Sequence, residues 1–293
     1  MRLTDLINKK DGPVLSFEFF PARDETSSEK LDGVIDKLAV LGPDFVSVTF
    51  GAGGSTREGS YNLVHKLTKG KGLNTIAYFA GYGLGPDDIT PVLDSYSKLG
   101  VETLFVVRGD KPRETDGFIP HPESFQHASG LLNFIGPRYD FCLGAAGYPE
   151  GHPEAQSKEK DLECCRIKVD NGAGFIIAQY CYDNECFFDF VRRARSVGIT
   201  APIIPGIMPI YSVKLMEGLA RICGASIPET VRDGLARLPK DDPKAVSKYG
   251  IDFALGQCRD LLKHGVEGLH FYTMDRSDTI IEVINTLRDE ALL

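Results

Sequence analysis

At 293 residues, with 42% apolar and 25% charged side chains, the chain has about the length of one (β/α)8 barrel and enough apolar material for a large core without disulfides or metal. A formal net charge of -8 argues against nucleic acid or an anionic membrane as the main partner, and leaves room for a local basic pocket around an anionic small molecule. The start carries no apolar stretch of signal-peptide length, and no segment reaches the roughly 18 uninterrupted apolar residues of a membrane span, so a soluble, cytoplasmic chain is expected. Seven cysteines with no C-x-x-C pair argue against a disulfide framework or a four-thiolate metal site, and read mostly as buried thiols.

In chain order, short β-branched or aromatic runs alternate with stretches of helical pattern. Val14–Phe20 is followed by helical Ser28–Leu41, Phe45–Phe50 by Thr56–Lys69, and Thr75–Phe79 by Asp87–Leu99. Thr103–Val107, Phe141–Ala146 and Phe175–Cys181 come next, the last followed by helical Asn184–Val197. Pro202–Ile207 and Gly268–Thr273 complete the set, and helix Ile280–Glu290 ends it. Eight such units predict the α/β class and a (β/α)8 TIM barrel, with residues 1–293 forming a single domain. The seventh connection, Met208 to Val266, is too long for one helix and carries helical patterns around Pro228–Leu238 and Pro243–His264, which reads as an insertion of extra helices between strands seven and eight. No long Gly/Ser-rich linker occurs and nothing resembles a regulatory domain. A doubly wound open sheet is the competing architecture, because periodicity alone does not show closure.

In such a barrel the chemistry gathers where strands end. The first run places one carboxylate, Glu18, in an apolar strand; there its charged form is disfavoured, so it is expected to hold a proton for general-acid work, with a structural pairing to Arg23 as the alternative. The fourth run ends Arg108-Gly109-Asp110: a glycine that lets backbone approach a flat ligand, flanked by a guanidinium and a carboxylate. The alternative there is a mutual Arg108–Asp110 ion pair. After the fifth run, Tyr148 through Ala155 supplies an aromatic face, His152 and turn-setting prolines, suited to a ring and a phosphate. Gln179 offers donor and acceptor to the amide edge of a pterin or flavin. Arg276 can take a substrate carboxylate or pair with Asp275. No HExxH, Cys/His metal spacing or Gly-x-Ser-x-Gly elbow occurs, so no metal is expected and a hydrolase lacks support.

Taken together, Ser16–Pro21, Val46–Gly51, Arg108–Asp110, Tyr148–Ala155, Ile203–Pro209 and His270–Arg276, in this order, resemble the methylenetetrahydrofolate reductase family over nearly the whole chain. The resemblance implies a flavoprotein oxidoreductase of one-carbon metabolism that passes hydride through flavin N5 to 5,10-methylenetetrahydrofolate, giving 5-methyltetrahydrofolate. It implies Glu18 as general acid and Asp110 as a residue between flavin and pterin. Gln179 then binds pterin and donor, and Arg276 contacts folate. Thr49, Phe50, Ala52, Tyr78, Arg108, Gly109, Asp110, Ala128, Tyr148, His152, Ala155, Asp161 and Lys168 fall at flavin or nicotinamide contacts.

Relative to well-known bacterial members, a histidine beside the flavin is Tyr78 here, and two residues on the distal half of the cofactor are Cys164 and Ile167. FAD is therefore the expected cofactor and FMN the alternative. On the helix after strand seven, a folate-binding glutamine is Leu215 and a phenylalanine that packs on nicotinamide and folate is Leu219. The electron donor is accordingly NAD(P)H or a partner protein subunit, in a homo- or hetero-oligomer of compact prokaryotic type. The competing functions are a flavin- or folate-binding subunit of a multiprotein electron-transfer complex and a related flavin barrel acting on another substrate.

Overall fold

A computed structural model describes residues 1–51, 57–110, 119–239 and 242–293. Its strands are β1 (Val14–Phe19), β2 (Phe45–Val48), β3 (Thr75–Ala80), β4 (Thr103–Val107), β5 (Cys142–Gly147), β6 (Ala173–Ala178), β7 (Ile203–Ile204), β8 (Gly206–Ile207) and β9 (Gly268–Tyr272). All pair in parallel, in the order β7-β6-β5-β4-β3-β2-β1-β9-β8. β7 and β8 are one stave interrupted by Pro205, which has no N–H to give to a ladder; its carbonyl still accepts from His270 N at 3.1 Å. The two ends of the strand order are thus neighbours on the chain, and the sheet closes into a barrel of eight staves, not an open sheet.

Local chemistry sets the boundaries. Helix α1 (Leu3–Lys9), which periodicity does not reveal, lies against the bottom of the barrel: Leu3 is buried and its N–H donates to Thr103 Oγ1 at 3.2 Å. Helix α2 (Glu25–Ala39) begins three residues before the expected Ser28 because the Asp24 carboxylate caps it, accepting from Ser27 N at 2.8 Å. Helix α3 (Arg57–His65) widens into a π-turn over Lys66–Gly70. Helices α4 (Pro86–Leu99), α5 (Ala128–Ile135), α6 (Lys158–Asp170) and α7 (Asn184–Ser196) follow strands three to six.

The sixth strand departs most from expectation, running Ala173–Ala178 instead of Phe175–Cys181. Its pairing with β5 shifts between Leu143 and Gly144. Gly144 has no side chain there because the Phe175 ring occupies the space: a Cβ would stand 2.1 Å from it. Gln179 is left one residue past the strand, where its N–H still donates to Gly147 O at 2.8 Å.

The insertion consists of α8 (Val213–Cys223), α9 (Glu229–Ala236) and α10 (Pro243–Lys263), before the final α11 (Asp278–Asp289). Tyr180, Tyr182, Met208, Ile210, Met216 and Val231 form a separate apolar cluster that ties it to the mouth. No helix among the described residues is long and apolar enough to cross a membrane.

Strand alternation divides the side chains. Phe17, Phe19, Val46, Val48, Phe79 and Phe271 are buried in the main core. The inner side carries Ser16, Glu18, Ser47, Tyr78, Phe105, Phe175, His270 and Tyr272. Ring contacts mark this interior: Tyr78 to Phe105 at 4.5 Å, Phe105 to Phe175 at 6.2 Å, and Phe45 stacked on His270 at 6.0 Å.

Candidate active site at the C-terminal mouth

Glu18 sits in register with Ser47 and Tyr272 and is 4% exposed. It does not pair with Arg23, which is exposed; its Oε2 faces His270 Nε2 at 3.7 Å. Glu18 Oε2, His270 Nε2, Ser47 Oγ and Thr49 Oγ1 are all buried without a hydrogen-bond partner. A buried polar atom left so costs roughly 1–3 kcal/mol, so a group of them at one barrel end marks a place built for something polar. Burial pushes the Tyr78 and Tyr272 hydroxyls well above their usual range, so both stay protonated beside Glu18.

Next to this lies a cavity of about 390 Å³ between the ends of β4 and β5, within the size range of small-ligand sites. It gathers Arg108, Ala128, Tyr148, His152, Ala155, Asp161 and Lys168 from distant parts of the sequence, with Cys164 and Ile167 on the same wall. Lys168 is held from α6 by donating to Ala146 O at 2.8 Å, and its Nζ lies 5.9 Å from the centre of the Tyr148 ring. His152 packs edge-on against that ring at 4.7 Å. Burial pushes the Tyr148 hydroxyl up to about 12, raises buried Asp161, where Lys168 opposes it, and lowers His152.

Arg108 does not pair with Asp110. It makes a two-pronged bridge to Glu154, Nη1 to Oε2 at 2.6 Å and Nη2 to Oε1 at 3.1 Å. Hydrogen bonding across this pair raises the guanidinium and lowers Glu154. With the Glu154 side chain 64% exposed, such a bridge contributes little stability, about 0–1 kcal/mol, and serves to aim the guanidinium along the cavity wall. Gly109 has φ +86°, and a Cβ there would stand 3.0 Å from Ala80 Cβ. Gly109→Ala should therefore lower stability by roughly 1–2 kcal/mol, read from its denaturant midpoint.

The remaining expected residues do not line the cavity. Thr49 is buried beside the barrel interior, and Phe50 packs on Phe79 at 5.3 Å. Asp110 is exposed at the rim. Gln179 is half-buried, its Oε1 accepting from Tyr180 N at 3.1 Å. The Arg276 guanidinium lies 5.4 Å from the centre of the Tyr211 ring. Ala52 lies outside the described residues.

Sequence reading missed the turn after β9. Met274 and Asp275 take the left-handed conformation, with φ 47° and 53°. Thr273 holds it, donating to Glu18 O at 2.6 Å and accepting from Asp275 N at 3.1 Å. Asp275 stands at the exposed rim, yet the protein packed around its carboxyl raises it to about 6, opposed by the Phe20 N–H. The folded chain thus keeps this proton to higher pH than the unfolded chain, where an aspartate titrates near about 3.9. Stability falls as pH rises across that window and stays lower above it. Asp275→Asn, which tolerates the same backbone, is expected to raise Tm at neutral pH and to leave it unchanged below about pH 3.

The profile of the methylenetetrahydrofolate reductase family matches residues 2–288. "Methylenetetrahydrofolate reductase (NADH) 1" of Arabidopsis thaliana is 33% identical over 96% of this chain, which covers 49% of that protein. The chain spans about half the length of the plant and fission-yeast relatives it matches. The 5,10-methylenetetrahydrofolate reductase of Escherichia coli K12 is also 33% identical, over 93% of this chain and 90% of its own. An uncharacterized protein from Clostridium thermocellum, which binds two copies of 5-methyl-5,6,7,8-tetrahydrofolic acid, has the same fold, with TM-score 0.63 over 98% of both chains at 16% identity. With its family profile matched nearly end to end and relatives of this identity, the chain belongs to the methylenetetrahydrofolate reductase family.

Proposed function

We propose that residues 1–293 act as one catalytic domain that reduces 5,10-methylenetetrahydrofolate to 5-methyltetrahydrofolate with a bound flavin. The observation that carries this reading is Glu18, a buried carboxyl with an unpartnered oxygen at the mouth, in a chain of this family.

The residues present fit a flavin. The cavity has the volume and, in Tyr148 and His152, the aromatic wall for a planar ring system, and Gly109 follows Arg108 at its edge. Arg108, Lys168 and His152 offer donors and positive charge to a phosphate. Thr49, Phe50, Tyr78, Ala128, Ala155 and Asp161 complete the surroundings. The flavin, when bound, supplies a ring that accepts and delivers hydride. FAD is our reading; with Cys164 and Ile167 on the wall, FMN is the alternative.

On the substrate side, Gln179 presents amide groups to the pterin edge and Arg276 a guanidinium to the carboxylate tail. Asp110 stands between cofactor and substrate. Glu18 Oε2 holds the proton that opens the bridged one-carbon unit for reduction. NAD(P)H is the donor in the first reading. The second reading, electrons from a partner subunit, is favoured by α8, where Leu215 and Leu219 are half-buried and Ile222 is 69% exposed.

The test is an absorbance spectrum of the purified protein, identification of the released flavin by mass, and anaerobic addition of NADH. A flavin spectrum bleached by NADH supports the first reading. A flavin untouched by NADH supports the partner subunit, and a colourless protein that takes up no added flavin contradicts both.

A further inference from the structure

Inside the barrel, below the mouth, three polar side chains on adjacent staves form a line in which Ser16 and His270 have so far been given no role. Ser16 and His270 are 0% exposed and Glu18 is 4% exposed. The Ser16 hydroxyl lies 3.3 Å from Leu269 O, a carbonyl that can only accept. Its oxygen also lies 2.8 Å from His270 Nδ1. A hydroxyl has one hydrogen; with it given to Leu269 O, the Ser16 oxygen is the acceptor toward the ring, and Nδ1 carries the hydrogen. With its hydrogen on Nδ1, the ring presents a lone pair at Nε2 toward Glu18 Oε2 at 3.7 Å, and the Tyr78 hydroxyl is a second side chain that reaches the Glu18 carboxyl. Two acceptors facing each other in a dry interior repel, unless a proton lies between them.

We propose that Ser16 and His270 are positioning residues that fix the Nδ1–H tautomer and keep Glu18 protonated, with its hydrogen directed at Nε2, until substrate takes the proton. This deepens, and rests on, the reading of Glu18 as the proton donor. The ring itself is fixed by Phe45, stacked at an interplanar angle of 11°, and by Tyr272 edge-on at 5.3 Å. The other titratable groups around the pair are Tyr78 on β3, Tyr272 on β9, Asp275 beyond β9 and Cys223 at the end of α8. Burial raises the two tyrosines and Cys223 alike, so all three stay neutral near pH 7 and none competes as a base. Asp275, raised to about 6 by burial, changes charge just below neutrality, and Asp275→Asn serves as the background for the pH profiles.

The experiment uses the full chain, with nitrogen-15 in the histidine rings and His270 assigned by comparison with His270→Phe. At pH 7, before any folate is added, the expected spectrum shows hydrogen on Nδ1 and none on Nε2. The infrared spectrum should contain a protonated-carboxyl band that is absent in Glu18→Gln and weakened in His270→Phe. In turnover, His270→Phe, which keeps a ring against Phe45, should move the alkaline limb of the pH profile to lower pH by about one unit, a tenfold loss at a fixed pH on that limb. Ser16→Ala should loosen the tautomer, and Ser16→Thr, which restores a hydroxyl, should recover it. Hydrogen on Nε2 at pH 7, alone or on both nitrogens, overturns the proposal. So does a His270→Phe enzyme slowed equally at every pH. If the ring and carboxyl spectra come out as expected but folate is not reduced, the functional reading fails and the proton arrangement stands.

Discussion

Glu18→Gln is expected to retain bound flavin and its reduction by the donor, and to slow reoxidation by 5,10-methylenetetrahydrofolate by about 10²–10⁴-fold, the usual contribution of a positioned general acid. Glutamine keeps the volume and one carbonyl oxygen of the glutamate but carries no transferable proton. The surroundings tolerate the change: Glu18 makes no ion pair with Arg or Lys among the described residues, and Thr273 holds its backbone carbonyl whatever the side chain. Rapid mixing separates the two half-reactions. Equal loss in both would mean damage to the cofactor site instead of a missing acid, and full folate reduction by Glu18→Gln would remove Glu18 from the chemistry.

Phe175→Ala should produce the largest loss of stability of any single interior change discussed here, about 3–5 kcal/mol. The ring is fully buried, lies tilted against Phe105 at 6.2 Å and fills the space that Gly144 leaves open. Backbone on closed staves cannot collapse into the hole, so little of the cost is recovered by relaxation. At roughly 2–4 °C per kcal/mol for a chain somewhat shorter than this one, the loss is easily seen in a thermal melt. Gly144→Ala approaches the same contact from the other side, with a Cβ 2.1 Å from the ring, and should cost about 1–3 kcal/mol through overpacking. A Phe175→Ala protein as stable as the parent would contradict the packed interior.

The barrel was legible because its staves are buried on both sides and therefore read as continuous β-branched and aromatic runs. Closure was not, since it depends on β8 pairing with β9 around Pro205, a register that no local pattern encodes. Helix α1 escaped notice because only Leu3 of its residues is fully buried, which leaves almost no periodic signal. The sixth strand was misplaced because the shift at Gly144 is a property of two strands together.

At the site, the carboxylate in an apolar strand and the Arg-Gly-Asp exit stood out by residue type alone. Their partners did not. Glu154 meets Arg108 across 46 positions and His270 meets Ser16 across 254, distances over which sequence carries no pairing rule. The spacing Ser16-x-Glu18 and His270-x-Tyr272 was the one available hint, since period two places each pair on the same side of its strand. The cavity itself depends on four separate segments converging; residue type at the strand ends pointed to Arg108 and to the Tyr148–Ala155 loop, and family resemblance to Ala128, Asp161 and Lys168.

The most direct test of the central claim is anaerobic mixing of the protein, its flavin first reduced chemically, with 5,10-methylenetetrahydrofolate. Reducing the flavin chemically makes the result independent of the physiological donor. The account predicts return of the oxidised flavin spectrum with one equivalent of 5-methyltetrahydrofolate formed per flavin. A reduced flavin that stays reduced in the presence of excess folate substrate would contradict it.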